Sequence, residues 1–390
     1  MAARPGARRR SAPSATPDRP GKAVESRTAR RGVVGRSVGM VAGAAALAAG
    51  GVALGLEFER RLVAKRMRGR ITADEPFFSL RSSGPTVTTP DGVELHVEVD
   101  EPQEPVPDDL TVVLVHGYAL SLDCWHFQRQ YFRDKARVVL FDLRSHGRSS
   151  RSEAELCRVP QLARDLAQVL DEVVGDGPVV LIGHSLGAMA IMQLGQQRPE
   201  WFGERVVGVG LCSTSTGDLG EHSIVKAIPG RAFARIVPPL LTALNRFPRV
   251  VEGSRRAGTD LGWVVTKQMA YGRDDVPGSY VDFMTEMLGD TPMSVIGDYY
   301  PAIGEVDEMA ALEVLSRVET AVIGGRSDVI TPVEHTERII ERLPGADARI
   351  LDDCGHMGII EHHEEFNEVL GAMVTRARRH LAEKADSGQQ

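Results

Sequence analysis

The stretch that most restricts the fold is VVLIGHSLGAMA, Val179 to Ala190. Four large apolar residues run into Gly183-His-Ser-Leu-Gly187, and small apolar residues follow at helical spacing. A short apolar run without alternation suits a strand buried on both faces. A serine on a sharp turn between such a strand and a helix is crowded. Glycines two before and two after it relieve the crowding. The turn then lifts the Ser185 hydroxyl above the sheet, beside the first N–H groups of the helix. An ordinary glycine-rich turn has the same local pattern, so the rest of the chain must decide.

Apolar runs predict strands at Thr111–Val115, Arg137–Phe141, Val179–Ile182, Val206–Leu211, Thr320–Ile323 and Ala348–Leu351. Between them, Leu162, Leu166, Val169, Leu170 and Val173 share one helix face. Further helices are predicted from Leu186, over Val333–Arg342, and from about Glu364 to Leu381. Short buried strands alternating with helices imply an α/β fold, a mostly parallel central sheet with helices on both faces. Asp91-Gly92 within VTTPDGVELHVEV (Val87 to Val99) predicts a hairpin, and with it an antiparallel edge. The core is expected over 87–214 and 304–381. Residues 215–303 break the alternation and are too long for a loop. They read as an inserted helical cap, with Ile236, Val237, Leu240, Leu241 and Leu244 in one group. Phe283, Met284, Met287 and Leu288 form another. Such residues either pack the cap or line an apolar acyl pocket, and packing is the expectation for any single one.

A serine hydroxyl is a poor nucleophile at neutral pH. It needs a base and an acid that holds the base in the right tautomer. In sheets of this kind the reacting groups gather at the carboxyl ends of the strands, in the chain order serine, acid, histidine. TAVIGGRSDVITP puts Asp328 just past a strand, and ARILDDCGHMGII puts His356 just past the next. Ser185, Asp328 and His356 are therefore the expected nucleophile, acid and base. The oxyanion needs two N–H donors. Leu186 supplies one, directly after the serine. TVVLVHGYAL supplies the other at Tyr118, with His116 and Gly117 in support and the Tyr118 side chain facing the pocket mouth. Asp352 and Asp353 sit too close to His356 on its own loop to serve as the acid, and read as turn formers. His184 adjoins the serine but points elsewhere. His335 falls in the helix after Asp328, and His362 and His363 in solvent at the start of the last helix. Cys354-x-His356 offers two ligands, too few for a metal site. The chemistry requires no metal and no cofactor.

From about Val87 to Leu381 the chain resembles an α/β-hydrolase of the lipase, esterase and cofactor-free haloperoxidase-like group. The strand followed by His116-Gly117, then FDLRSHGRSS, GHSLG, GGRSDVITP and GHMGIIEHHEEF, are similar to that family's landmarks in order. The resemblance implies the same triad and the same donors. It also implies hydrolysis of an ester, less readily an amide, of a small-to-medium apolar acyl group through an acyl-enzyme. Related possibilities are cofactor-free perhydrolysis and proline-iminopeptidase-like cleavage. The latter needs a carboxylate in the cap, for which Asp282 and Glu286 qualify by location alone. A non-turnover ligand receptor on the same pocket is the reading from another class. The sequence departs from the family pattern at Ser145, where FDLRSHGRSS has serine for glycine. A serine at the elbow argues against the family branches that use aspartate there.

The net charge of −7 argues against nucleic acid as a partner. Residues 1–36 carry ten Lys/Arg against Asp18 and Glu25 and almost no large apolar residue, which predicts a disordered basic tail. Within 37–57 lies an uncharged run of 19 residues, 38–56. As a helix it spans roughly 28 Å, about one hydrocarbon core. It reads as a transmembrane or membrane-anchoring helix of undetermined orientation. The alternatives are a cleaved export signal after Arg30-Arg31 and a soluble helix, with an exported or cytoplasmic protein in consequence. A basic linker, 58–86, follows, and 382–390 is expected to be a disordered tail. Cys124, Cys157, Cys212 and Cys354 form no C-x-x-C pair and read as free or buried thiols.

Overall fold

The computed structural model describes residues 75–104, 106, 109–219 and 259–388. The basic tail, the apolar run 38–56, most of the basic linker 58–86 and the cap residues Ile236, Val237, Leu240, Leu241 and Leu244 lie outside the described residues. Among the described residues no helix is long and apolar enough to cross a membrane.

A two-stranded hairpin, β1 (Val87–Thr88) and β2 (Glu94–Leu95), turns at Gly92. Its φ of 84° there is one that glycine adopts without strain. The third segment of the predicted hairpin goes elsewhere. β3 (Val97–Asp100) leaves β2 and pairs antiparallel with β5 (Arg137–Phe141), forming the edge of a seven-stranded sheet. β4 (Thr111–Val115), β6 (Val179–His184), β7 (Val206–Cys212), β8 (Glu319–Gly325) and β9 (Asp347–Leu351) complete it in parallel. The order is β3-β5-β4-β6-β7-β8-β9.

The helices are α1 (His126–Phe132), α2 (Val159–Val169), α3 (Leu186–Gln197), α4 (Thr259–Ala270), α5 (Gly278–Asp290), α6 (Met293–Gly304), α7 (Ala311–Leu315), α8 (Val333–Arg342), α9 (Gly358–Glu361) and α10 (His363–Gly388). Strand side chains alternate between the two faces of the sheet. Val113, Val115, Leu181 and Leu211 pack with α2, α3 and α7. Val112, Leu114, Val180 and Ile182 pack with α1 and α10. Both faces are covered, which is why β4 is buried along its whole length.

α10 does not stop at Leu381. It continues to Gly388, so 382–388 is not the disordered tail the sequence predicted. Ala382, Glu383, Lys384 and Ala385 are good helix formers. Lys384 Nζ reaches the Glu204 carboxylate at 2.9 Å, tying the extension to the body. The last residues of the 58–86 stretch also pack. Phe77 stacks on Phe283 of α5 with ring centroids 4.1 Å apart, and its edge meets Phe127 of α1. Phe283, Met284 and Met287 are buried in this cluster, so they serve packing. All four cysteines are free and buried.

Helices α4–α6 belong to the insertion between β7 and β8. Its two ends run side by side: Gly217 bridges Asp307, and Glu308 N–H donates to Thr216 O at 2.7 Å. Here the buried Glu308 accepts from Gln196 Nε2 at 2.6 Å. Burial pushes its pKa up to about 8 against that hydrogen bond. The folded state therefore keeps this proton up to about pH 8, while the unfolded chain releases it near its ordinary value of 4.5. Between those values the unfolded state binds fewer protons, so this group's contribution falls as pH rises. Glu308→Gln removes the dependence. The stability of the variant relative to wild type, from urea unfolding at pH 6 and pH 8.5, is expected to be greater at pH 8.5. An unchanged difference would show that Glu308 ionises normally in the fold.

Candidate active site

Ser185 sits between β6 and α3 at φ 51° and ψ −116°, a strained conformation for a residue with a side chain. Such strain persists only where neighbours over-determine it. Its N–H donates to Cys212 O at 2.9 Å, and its carbonyl accepts Ala188 N–H, Met189 N–H and the Thr214 hydroxyl. The two glycines are sterically required. A Cβ at Gly183 would lie 2.5 Å from the Ala188 backbone, and one at Gly187 would overlap the carbonyl oxygen of Val115.

Asp328 follows β8 and His356 follows β9, and both are buried. Their side chains meet, His356 Nδ1 to Asp328 Oδ2 at 2.8 Å. The other carboxylate oxygen accepts the N–H groups of Ile330 and Thr331, each at 2.8 Å. The Thr331 hydroxyl donates to Oδ2 at 2.7 Å. Burial alone would raise the Asp328 pKa. The charge and hydrogen bond of His356 and the Thr331 donors outweigh it and hold the carboxyl below its usual range. The histidine loop is fastened to the elbow through His184, whose Nε2 donates to His356 O at 2.9 Å. Burial, with the nearby His356 charge, drives the His184 pKa down to about 3, so this ring stays neutral.

The loop after β4 passes against the same elbow. A Cβ on Gly117 would come within 2.7 Å of His184 Nδ1 and 3.2 Å of Ser185 Cβ, so a bare backbone is needed there. His116 Nδ1 lies 2.8 Å from Gly117 O, and its Nε2 lies 2.9 Å from Leu143 N. A carbonyl only accepts and an amide N–H only donates, so the His116 proton is on Nδ1. Burial keeps this histidine neutral, its pKa well below the ordinary value. Across a planar trans peptide the carbonyl and the N–H point in opposite directions. With Gly117 O held by His116, the Tyr118 N–H turns away. Neither it nor the Leu186 N–H at the start of α3 has an acceptor among the described residues. The Tyr118 side chain is half-buried and donates its hydroxyl to Ile296 O in α6. It ties the loop to the insertion and does not simply face outward.

The other predicted residues separate cleanly. Asp352 is exposed and paired with Arg326, and Asp353 turns the chain at φ 50°. His335 is buried in α8, 2.8 Å from the Ser215 hydroxyl. His362 and His363 are half-buried, not solvated, and the His363 ring stacks on Phe127 at 3.8 Å. Asp282 and Glu286 are exposed on α5. Ser145 takes φ 66°, the region a glycine would prefer, and its hydroxyl accepts Ser152 N–H at 2.9 Å in partial compensation. Cys354, Glu361 and His362 bring possible ligand atoms within 4.8 Å of one another. The Glu361 carboxylate, however, already accepts the N–H groups of Gly272, Arg273 and Gly355. Burial pushes the Cys354 thiol far up, so that group of residues is built as a brace.

Sequence reasoning passed over Thr331, His146 and Glu361. Thr331 had a legible signal: an aspartate followed three residues later by threonine is a side-chain-to-backbone turn. His146 and Glu361 act on segments far away in sequence, and no local pattern announces them.

Residues 112–369 match the model of a family described as the alpha/beta hydrolase family. A dihydrolipoyllysine-residue acetyltransferase component of an acetoin cleaving system from Cupriavidus necator is 28% identical over 262 residues. The match covers 67% of this chain and 62% of that protein, so the chain spans less than two thirds of that relative's length. A 2-hydroxy-6-oxononadienedioate/2-hydroxy-6-oxononatrienedioate hydrolase from Burkholderia vietnamiensis is 25% identical over 288 residues, 72% of this chain and 91% of that one. Among solved structures, a thermophilic esterase from Thermogutta terrifontis superposes with a TM-score of 0.56 at 21% identity. That match covers 76% of this chain and 98% of the esterase.

Proposed function

Because this chain belongs to the alpha/beta hydrolase family, we propose that it is a serine hydrolase cleaving esters of small-to-medium apolar acids. The observation that carries this reading is the 2.8 Å hydrogen bond from His356 Nδ1 to Asp328 Oδ2, on a loop fastened beside the strained Ser185 elbow. His356 Nε2 takes the Ser185 proton as Oγ bonds to the ester carbonyl carbon. The N–H groups of Tyr118 and Leu186 receive the oxyanion. His356 returns the proton to the leaving alcohol as the carbon–oxygen bond breaks. Water, activated by the same histidine, then releases the acid. Asp328 holds the His356 proton on Nδ1 throughout, leaving Nε2 free to accept. None of these steps needs a metal or cofactor. The insertion, 215–303, serves as the cap over this site, and the uncharged run 38–56 associates the enzyme with a membrane that supplies apolar substrates.

The test is intact-mass analysis of the full chain after a fluorophosphonate probe, beside Ser185→Ala. One adduct on wild type and none on the variant are expected. A folded wild type that takes no adduct would overturn the reading in favour of a receptor. Unlabelled wild-type enzyme then goes to a panel of esters, an amide and 2-hydroxy-6-oxononadienedioate, the compound in the Burkholderia relative's name. Turnover of the last alone would move the assignment from esters to carbon–carbon bonds.

A further inference from the structure

The loop that bears the Tyr118 N–H is held from the far side by the insertion. Thr291, buried at the end of α5, donates its hydroxyl to Ala119 O at 3.0 Å. The Tyr118 hydroxyl donates to Ile296 O in the following helix. Ala119 sits at φ 59°, which a residue with a side chain adopts only under constraint. Its peptide groups are accordingly fixed on both sides. The Ala119 N–H donates to His146 Nε2 at 3.1 Å, and that ring is oriented by its Nδ1–H, which donates to Arg144 O at 3.0 Å. The Ala119 carbonyl is fixed by Thr291. Removing the Thr291 hydroxyl releases the bond that holds Ala119 O among the described residues, and the strained residue can then relax by turning its neighbouring peptides.

We propose that Thr291 and the Tyr118 hydroxyl are positioning residues through which the helical insertion aims the Tyr118 N–H at the reacting carbonyl. The inference rests on the serine-hydrolase reading and adds a second role for the insertion. It makes the insertion part of the oxyanion machinery as well as a cover over the site. An N–H displaced by a fraction of an ångström still binds substrate but meets the developing charge poorly. The effect is therefore on kcat more than on KM.

The experiment uses the full chain with p-nitrophenyl butyrate as the probe substrate and a fluorophosphonate as the probe of Ser185. Thr291→Val keeps the shape and removes the donor. It is expected to lower kcat about tenfold with KM within about twofold. Labelling of Ser185 should slow in parallel while still reaching one adduct per chain. Thr291→Ser restores the donor and should restore both rates, which a loss of packing would not allow. Should Thr291→Val fail to fold, Tyr118→Phe carries the same test, because it keeps the N–H and removes only the hydroxyl. Wild-type kcat in folded, unlabelled Thr291→Val, or in Tyr118→Phe, sinks this inference alone. A folded wild type with neither adduct nor turnover sinks the hydrolase reading and this inference with it.

Discussion

Asp328→Asn is expected to lower kcat by about 10⁴-fold while leaving the protein folded. One Asp328 oxygen accepts two backbone N–H groups, so the asparagine must keep its carbonyl oxygen there. Its NH₂ group then occupies the position of Oδ2, facing the Thr331 hydroxyl and His356 Nδ1. A donor at that point forces Nδ1 to accept, and the imidazole proton moves to Nε2. The histidine keeps its place and loses the lone pair that should take the Ser185 proton. Steady-state turnover of p-nitrophenyl butyrate and urea midpoints of both proteins measure the two halves of the expectation. A loss of tenfold or less in a folded variant would remove Asp328 from the role and send attention back to the exposed carboxylates on the histidine loop.

The second large effect is on folding. Gly187→Ala should cost about 3–5 kcal/mol, enough to leave little soluble protein. The added methyl group would overlap the carbonyl oxygen of Val115 and crowd that of His116. Both belong to the backbone at the end of a central strand, which has no room to move because both faces of the sheet are covered. Gly289→Ala is the control. A Cβ there meets nothing within 4 Å, and the position lies in α5. The substitution should stabilise by up to about 1 kcal/mol through helix propensity. Equal stability of the two variants in urea unfolding would mean that the elbow yields where the geometry says it is rigid.

The contrast between these two glycines was half visible beforehand. The spacing Gly-x-Ser-x-Gly after an apolar run says that a backbone passes close by. It does not say that the neighbour is Val115, 72 residues earlier. The sheet was legible for a similar reason. β4, β5 and β6 each hold an unbroken run of four large apolar residues, and only burial on both faces makes such runs favourable. β3 and the end of α10 were less legible. Whether His96 turns the chain out of the hairpin depends on β5 offering a free edge. Whether 382–388 stays helical depends partly on Glu204 being within reach of Lys384.

What the sequence by itself determined is therefore the local part: which segments are strands, where the serine must stand, and that Asp328 and His356 end consecutive strands. These follow from side-chain periodicity and from the backbone freedom of glycine, which act over a few residues. The tertiary structure alone decided which groups hold those residues in place. His184 fastens the histidine loop, His116 accepts from Leu143 N–H and His146 from Ala119 N–H, Glu361 braces Gly272, and Thr291 reaches Ala119 from the insertion. Each is a hydrogen bond about 3 Å long between segments up to 172 residues apart. Such a bond forms only where packing has already brought donor and acceptor together, and no local pattern of residues records it.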